Sequence, residues 1–265
     1  MQGAEQADMG GDLRLLEEAA REAGQIALRY FKRDPEVWMK GGRSPVSEAD
    51  YAVDSYLRET LLAARPGYGW LSEETVDGEA RLSARRTFVV DPIDGTRAFL
   101  NGRSTWCISV AVVEDGVSLC GVLDCPAKNN VFVAAKGRGS WLDGRPIKVR
   151  TPAQIPVIGG PKSIIDALPH GLRAKLPDVP YIPSLAYRLA MVAKGELDAT
   201  FVKPNSHDWD LAAADVILRE AGGRILNEAG KPPRYAGRQV THGALVAGSG
   251  SLLDEIAGAI VEFES

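Results

Sequence analysis

The chain has 265 residues, 45% of them hydrophobic and 25% charged, with a formal net charge of -4. That is an ordinary soluble composition, and it excludes a strongly basic nucleic-acid binder and leaves room for one large domain or two lobes with a sizeable core. No apolar run reaches membrane-spanning length, and Cys107, Cys120 and Cys125 form no disulfide framework or zinc-like spacing, which points to a reducing, cytoplasmic compartment.

Residues 1–11 lack a basic region followed by an apolar core and are expected as a mobile tail rather than a signal peptide. Asp12 is placed to cap a helix with Leu13, Leu16, Ala20, Ala23, Ala27 and Tyr30 on one face, ended by Asp34-Pro35. Residues 40–45 read as a loop. Ser47 then starts a second helix carrying Val53, Leu57, Leu61 and Ala64, stopped at Pro66-Gly67. Residues 70–72 form a short strand that runs into Glu73-Glu74. Residues 87–91 form another, followed by a helix from Thr96. Residues 107–113, 117–123, 131–135, 140–142 and 146–149 are short apolar strands separated by turn dipeptides such as Asp115-Gly116 and Asp143-Gly144, the pattern of an antiparallel meander.

Two prolines in residues 151–156 mark a boundary between lobes, residues 12–150 and 155–262. Beyond it the order is strand (157–158), helix (185–193), strand (197–201), helix (211–221), strands (224–226 and 244–247) and helix (252–261). The fold class is mixed α+β or α/β, with helices layered against mixed sheets.

The chemistry concentrates at Asp91-Pro92-Ile93-Asp94-Gly95-Thr96. Pro92 keeps Asp91 extended, Gly95 lets backbone approach a ligand, and a helix opening at Thr96 would aim its first amides at an anion. Two carboxylates at a strand end suit a hard cation, though Asp-Gly and Asp-Pro are also common turn dipeptides. Three more stretches bring acids to element ends. Ser47-Glu48-Ala49-Asp50 is also what a capping box looks like. Glu73-Glu74 is also what a solvated loop looks like. Asp210, at a helix start, is stabilised there by the helix dipole alone. No glycine-rich fingerprint follows a strand, which excludes a P-loop or dinucleotide enzyme.

Taken in order, these stretches resemble the inositol monophosphatase family of Mg²⁺-dependent, lithium-sensitive phosphatases. Residues 91–96 are similar to its first signature and Trp209-Asp210-Leu211-Ala212-Ala213 to its second, with Ala214 where a glycine is usual. The resemblance implies a layered αβαβα sandwich of the inositol monophosphatase and fructose-1,6-bisphosphatase type, two to three Mg²⁺ ions and a homodimer. It implies that Glu73, Asp91 and the carbonyl of Ile93 hold one ion, that Asp91, Asp94 and Asp210 hold a second, and that Asp50 supports a third through water. Gly95 and Thr96 would give amides to the phosphate. Glu74 would sit behind the ligands, and Thr96 Oγ1 with Glu73 would orient the attacking water. Hard cations take oxygen ligands, and two of them roughly 3.5–4 Å apart stabilise both oxygens of an in-line displacement. The strands at 107–113 and 117–123 either supply part of a dimer interface or are wholly internal. A non-catalytic homologue should have lost a metal carboxylate, and none is missing.

The alcohol half of the substrate is expected between Ser184 and Ala186 and the segment before Asp210. Inositol-specific members have a glycine where this chain has Pro183 and a glutamate where it has Lys203. A lysine cannot accept a hydrogen bond, but it attracts an anion, and Lys162 could join it. Alternatively both lysines are simply solvated. The substrate expected is a small phosphate ester with a second negative group. A 3′(2′),5′-bisphosphate nucleotide is preferred, with inositol 1-phosphate next and histidinol phosphate or a sugar phosphate as further alternatives.

Overall fold

The computed structural model describes residues 2–40, 44–166, 168 and 170–259. The first helix, α1 (Gln2–Tyr30), passes straight through Asp12 and the expected tail. Asp12 is therefore an interior helix residue, not a cap. It is buried because Arg65, Tyr68 and Arg86, far away in sequence, reach it. The chain leaves α1 at Tyr30, before Asp34-Pro35, and forms a hairpin of β1 (Val37–Lys40) and β2 (Ser44–Ser47) over part of the expected loop, whose residues 41–43 lie outside the described ones.

From Ser47 runs α2 (Glu48–Ala64), as its sequence predicts, followed by β3 (Gly69–Ser72), β4 (Arg86–Asp94) and the one-turn α3 (Thr96–Leu100). The meander is β5 (Cys107–Glu114), β6 (Val117–Cys125), β7 (Asn130–Ala135), β8 (Gly139–Leu142) and β9 (Arg145–Pro146). Asp115-Gly116 and Asp143-Gly144 both have positive φ at each residue, the mirror-image turn that suits the twist of a hairpin. The seven strands β3 to β9 form one sheet in chain order, with β3–β4 parallel and every other pair antiparallel.

Residues alternate across this sheet. Phe88, Val90, Ile108, Val110 and Val112 pack on Leu16, Ala20, Val53 and Leu57 of α1 and α2. Val89, Cys107, Ala111 and Val113 face the other way. Strand β5 and residues 120–125 of β6 are thus covered on both faces, while Val117 and Leu119 stay partly exposed.

The second half holds β10 (Ile158–Gly159), α4 (Lys162–Asp166), α5 (His170–Arg173), α6 (Leu185–Ala193), β11 (Ala199–Val202), β12 (Ser206–His207), α7 (Asp208–Glu220), β13 (Arg224–Asn227), β14 (Thr241–His242), β15 (Leu245–Gly248) and α8 (Gly250–Ala259). The short helices α4 and α5 and the two-residue pair β12–β14 carry no periodic signal, and none was expected from sequence. The end of the last expected helix and of the expected second lobe fall partly outside the described residues.

A four-stranded sheet runs β10-β11-β15-β13. Its Ile225, Leu245 and Ala247 face α6 and α7, while Phe201, Leu226 and Val246 face Leu253 and Ile256 of α8. The layers are therefore α1/α2, the large sheet, α6/α7, the small sheet and α8. The middle helices sit close on the large sheet. A Cβ on Gly121 of β6 would come within 2.8 Å of the Ala213 Cα on α7, so only glycine fits there. No described helix is long and apolar enough to cross a membrane.

Candidate active site

The ends of β3 and β4 and the starts of α2 and α7 contribute the acids, and the starts of α3 and α6 contribute Thr96 and Ser184. Asp91 and Asp94 close β4, and the ladder with β5 shifts register between them. Asp91 Oδ1 accepts from the Ile93 amide at 3.0 Å, a local bond that the Asp-x-x geometry after an extended Asp91 allows. Asp210 lies in the first turn of α7, its Oδ2 taking the His207 amide at 2.7 Å. One oxygen from each of Asp91, Asp94 and Asp210 lies within 4.8 Å of the others.

Glu73 and Asp50 lie near enough for their fields to act on Asp91. The Glu73 amide extends the β3–β4 ladder by donating to Val90 O at 3.2 Å, which sets this half-buried acid beside Asp91. The turn after it is fastened by Asp54, which accepts from Ser72 Oγ and, at 2.6 Å, from Thr75 Oγ1. Glu74 follows, half-buried, with its amide 3.3 Å from Ser72 Oγ. Asp50 Oδ2 accepts from both Ser47 N (2.8 Å) and Ser47 Oγ (2.6 Å), so the capping half of its reading is present. Its other oxygen lies 3.2 Å from Thr96 Oγ1, which is also 3.1 Å from Ile93 O.

Gly95 has φ 95°, and a Cβ there would stand 2.9 Å from Ser184 Cβ and 3.2 Å from Thr105 O. Glycine is thus required both by conformation and by space.

Asp94 is held by the start of α6. Ser184 Oγ and the Ala186 amide (2.6 Å) donate to Oδ2, and the Leu185 amide donates to Oδ1 at 3.2 Å. Ser184 also caps α6 by accepting from Tyr187 N at 3.0 Å. The donors of Ser184 and Ala186, expected to face substrate, are turned onto this carboxylate. Beneath them Arg188 is buried on neutral acceptors, Thr200 Oγ1, Ile182 O and Phe201 O. Ser184 was readable from sequence as a cap before an apolar helix. Its bond to Asp94, and the roles of Asp54 and Arg188, had no local signal.

The electrostatics follow from crowding. Burial, then the fields of Glu73, Asp94, Asp210 and Asp50, hold the Asp91 carboxyl well above the usual range. Burial, with Asp94 next, pushes Asp210 up to about 7, against the His207 amide. Burial also raises Asp94, opposed by the bonds from Ser184, Ala186 and Leu185 and by Arg188. Among the described residues no lysine or arginine is ion-paired with Asp91, Asp94 or Asp210. Three converging carboxylates, Asp91, Asp94 and Asp210, with no ion-paired lysine or arginine among the described residues, are the all-oxygen donor set a hard divalent cation takes.

Lys162 and Lys203 are exposed and line one cavity of about 620 Å³ with Gly160, Arg173 and Tyr181. The chain enters the acidic cluster from this cavity twice, from Tyr181 to Ser184 and from Lys203 to Asp210.

Residues 12–264 match the sequence profile of the Inositol monophosphatase family. The chain is 35% identical over 260 residues to a histidinol-phosphatase of Mycobacterium tuberculosis, covering 92% of this chain and 96% of the relative. It is 31% identical over 251 residues to an inositol-1-monophosphatase of Mesorhizobium japonicum, covering 89% and 91%. Among solved structures, the extragenic suppressor protein suhB of Bartonella henselae superposes with a TM-score of 0.80 at 27% identity, covering 94% of this chain and 98% of the other.

Proposed function

This chain belongs to the inositol monophosphatase family of phosphatases, and from that premise we propose that it is a Mg²⁺-dependent phosphomonoesterase whose small substrate carries a second anionic group. A 3′(2′),5′-bisphosphate nucleotide is the preferred candidate. The observation that supports this reading is the pair Lys162 and Lys203 on one cavity, whose lining residues Tyr181 and Lys203 lie three and seven residues before Ser184 and Asp210. Arg173 in the same cavity is neutralised, 3.4 Å from Asp166 and 3.7 Å from Asp178. The two lysines have no carboxylate partner among the described residues, so their charge is available to a ligand.

In this reading Glu73, Asp91, Asp94 and Asp210 hold the metal, with the Ile93 carbonyl beside them and Asp50 at the margin. When bound, Mg²⁺ supplies positive charge to the transferring phosphoryl group and acidifies water. The rest is the work of the chain. Gly95 and Thr96 present amides to the phosphate at the start of α3. Thr96 Oγ1, 3.1 Å from Ile93 O and 3.2 Å from Asp50, is free to rotate between acceptors and with Glu73 orients the attacking water. Ser184 and the amides of Leu185 and Ala186 keep Asp94 in position, and Glu74 supports Glu73 from behind. Such fixed groups, aimed where charge develops, carry most of the catalysis in phosphoryl transfer. Inhibition by Li⁺ at limiting Mg²⁺, a cytoplasmic setting and a homodimer belong to the same reading.

A second reading, histidinol phosphate, is favoured by the name of the 35% identical relative. Its substrate carries a cationic amine, which Lys162 and Lys203 disfavour. The deciding experiment compares specificity constants for adenosine 3′,5′-bisphosphate, inositol 1-phosphate, histidinol phosphate and fructose 1,6-bisphosphate, in the wild type and in Lys203→Glu. A buried hydroxyl that gains or loses a partner changes binding by roughly 1–3 kcal/mol. The expected result is a preference for the bisphosphate nucleotide that falls by about one to two orders of magnitude in the variant. A ranking led by histidinol phosphate and untouched by Lys203→Glu would overturn the preference.

A further inference from the structure

A second cavity, of about 460 Å³, lies away from the acidic cluster, where α7 and β13 meet the irregular segment around Pro233. Its walls include Val117, Leu226 and Pro233, and four cationic side chains line it (Lys136, Arg219, Arg224 and Arg234) against one carboxylate, Asp215. Two of the four are neutralised. Arg219 Nη1 donates to Asp215 at 2.7 Å, and Arg224 Nη2 to Asp254 at 2.9 Å. Arg234 gives a nitrogen only to a neutral acceptor, Asp115 O at 2.5 Å, and Lys136 has no carboxylate partner among the described residues. Two positive charges are therefore left over at the mouth.

Inside stands Tyr235. It is 2% exposed, yet its hydroxyl has no hydrogen-bond partner. A buried unpartnered hydroxyl is costly, and native structures seldom keep one without a reason. Its ring meets His242 edge-on, with centroids 5.7 Å apart. The field of Asp215 acts on the hydroxyl more strongly than that of Asp208, and Arg219 opposes both; Asp215 and Arg219 belong to this cavity.

We propose that this cavity is a second binding site, for a small organic anion with an apolar body, of the aryl carboxylate class. The ring of such a ligand lies on the apolar wall, its carboxylate meets Lys136 and Arg234, and a shift of the wall on binding opens the closed-off Tyr235 hydroxyl to one oxygen. A charged acceptor makes the stronger hydrogen bond with that hydroxyl, and the volume suits a small molecule.

The test is calorimetric titration of the full chain with sodium benzoate, beside benzyl alcohol as its neutral counterpart. Benzoate is expected to bind saturably, more weakly as salt rises, and benzyl alcohol not to saturate. Tyr235→Phe should weaken benzoate about tenfold, while the ligand-free melting temperature stays level or rises because the orphan hydroxyl is gone. Lys136→Ala and Arg234→Gln, both at exposed positions, should weaken it as well, and they keep the test open if Tyr235→Phe does not fold. Asp91→Asn should leave benzoate affinity unchanged, which separates this site from the acidic cluster. Absence of saturable binding, equal affinity for benzyl alcohol, loss of binding in Asp91→Asn, or affinity unchanged in the cavity variants would overturn the proposal.

Discussion

The hydroxyl of Thr96 lies 3.2 Å from Oδ1 of Asp50, so the turn after β4 is bonded to the first turn of α2. The other Asp50 oxygen takes two bonds from Ser47. One carboxylate therefore serves a helix cap and the edge of the acidic cluster together. Asp50→Asn keeps an acceptor for Ser47 and loses the charge. It is expected to melt near the wild type but to need more Mg²⁺ for half-maximal activity. Asp50→Ala loses the cap too and should cost a further ~1 kcal/mol. Thermal unfolding combined with a Mg²⁺ titration separates the two roles. If Asp50→Asn lowers only the melting temperature, Asp50 is a cap and nothing more.

Asp91 sits in the field of four other carboxylates and is 1% exposed. Asp91→Asn should reduce turnover by more than about a hundredfold, the upper end of what loss of even an outer partner of a metal ligand costs. In chelator-treated protein the same variant should melt at or above the wild-type temperature, because it removes a repelled, buried charge. Near-normal turnover at modest Mg²⁺ would remove Asp91 from the site.

A separate cluster holds α1 to the large sheet. Asp12 accepts from Arg65 Nε (2.9 Å), Tyr68 OH (2.9 Å) and Arg86 Nη1 (3.0 Å), while Arg86 Nε reaches Glu114 at 2.6 Å. Asp12→Ala takes one of two carboxylates from the 5% exposed Arg86, which keeps Glu114. Losing one charged hydrogen-bond partner of a buried group costs about 1–3 kcal/mol. Urea unfolding should show that loss, with the specific activity of the folded fraction unchanged. A destabilisation near zero would mean that water replaces the aspartate.

Asp124 on β6 lies against α1, where its Oδ2 occupies the space a Cβ on Gly24 would need, 1.9 Å away. Burial pushes this carboxyl up to about 7, against the pull of Arg21. Its folded value thus lies above the unfolded one, near 4. The native state holds the proton more tightly, so stability from this group is complete below about pH 4 and is lost as pH rises towards 7. The slope is at most about 1.4 kcal/mol per pH unit. Asp124→Asn should match the wild type near pH 4 and exceed it by a few kcal/mol, on the order of 2–4, at pH 8. Parallel stability curves for the two proteins would contradict this.

The strands and long helices were legible because one face of each is apolar at the right period, and α6 (Leu185–Ala193) has the bounds its sequence predicts. The acids were legible because they end strands or open helices. Asp12 misled because an acid before an apolar stripe is what a cap looks like, and its partners Arg65 and Arg86 are 53 and 74 residues away. The donors on Asp94 were hidden for the same reason, since Ser184 stands 90 residues from it. Helices α4 and α5, of five and four residues, are too short to show a period.

The donors that hold Asp94 and Asp210 come from residues 184–186 and 207. A ribosome delivers them late. A nascent chain released only as far as residue 150 already contains every strand of the large sheet and the acids Asp50, Glu73, Asp91 and Asp94, but nothing to set the angle of Asp94 and no Asp210. Domains fold as units from the N-terminus during synthesis at about 5–20 residues per second. The acidic cluster is thus completed only after the start of α7 has emerged, and a chain stopped before α6 (Leu185–Ala193) would carry four of these acids without the groups that fix Asp94.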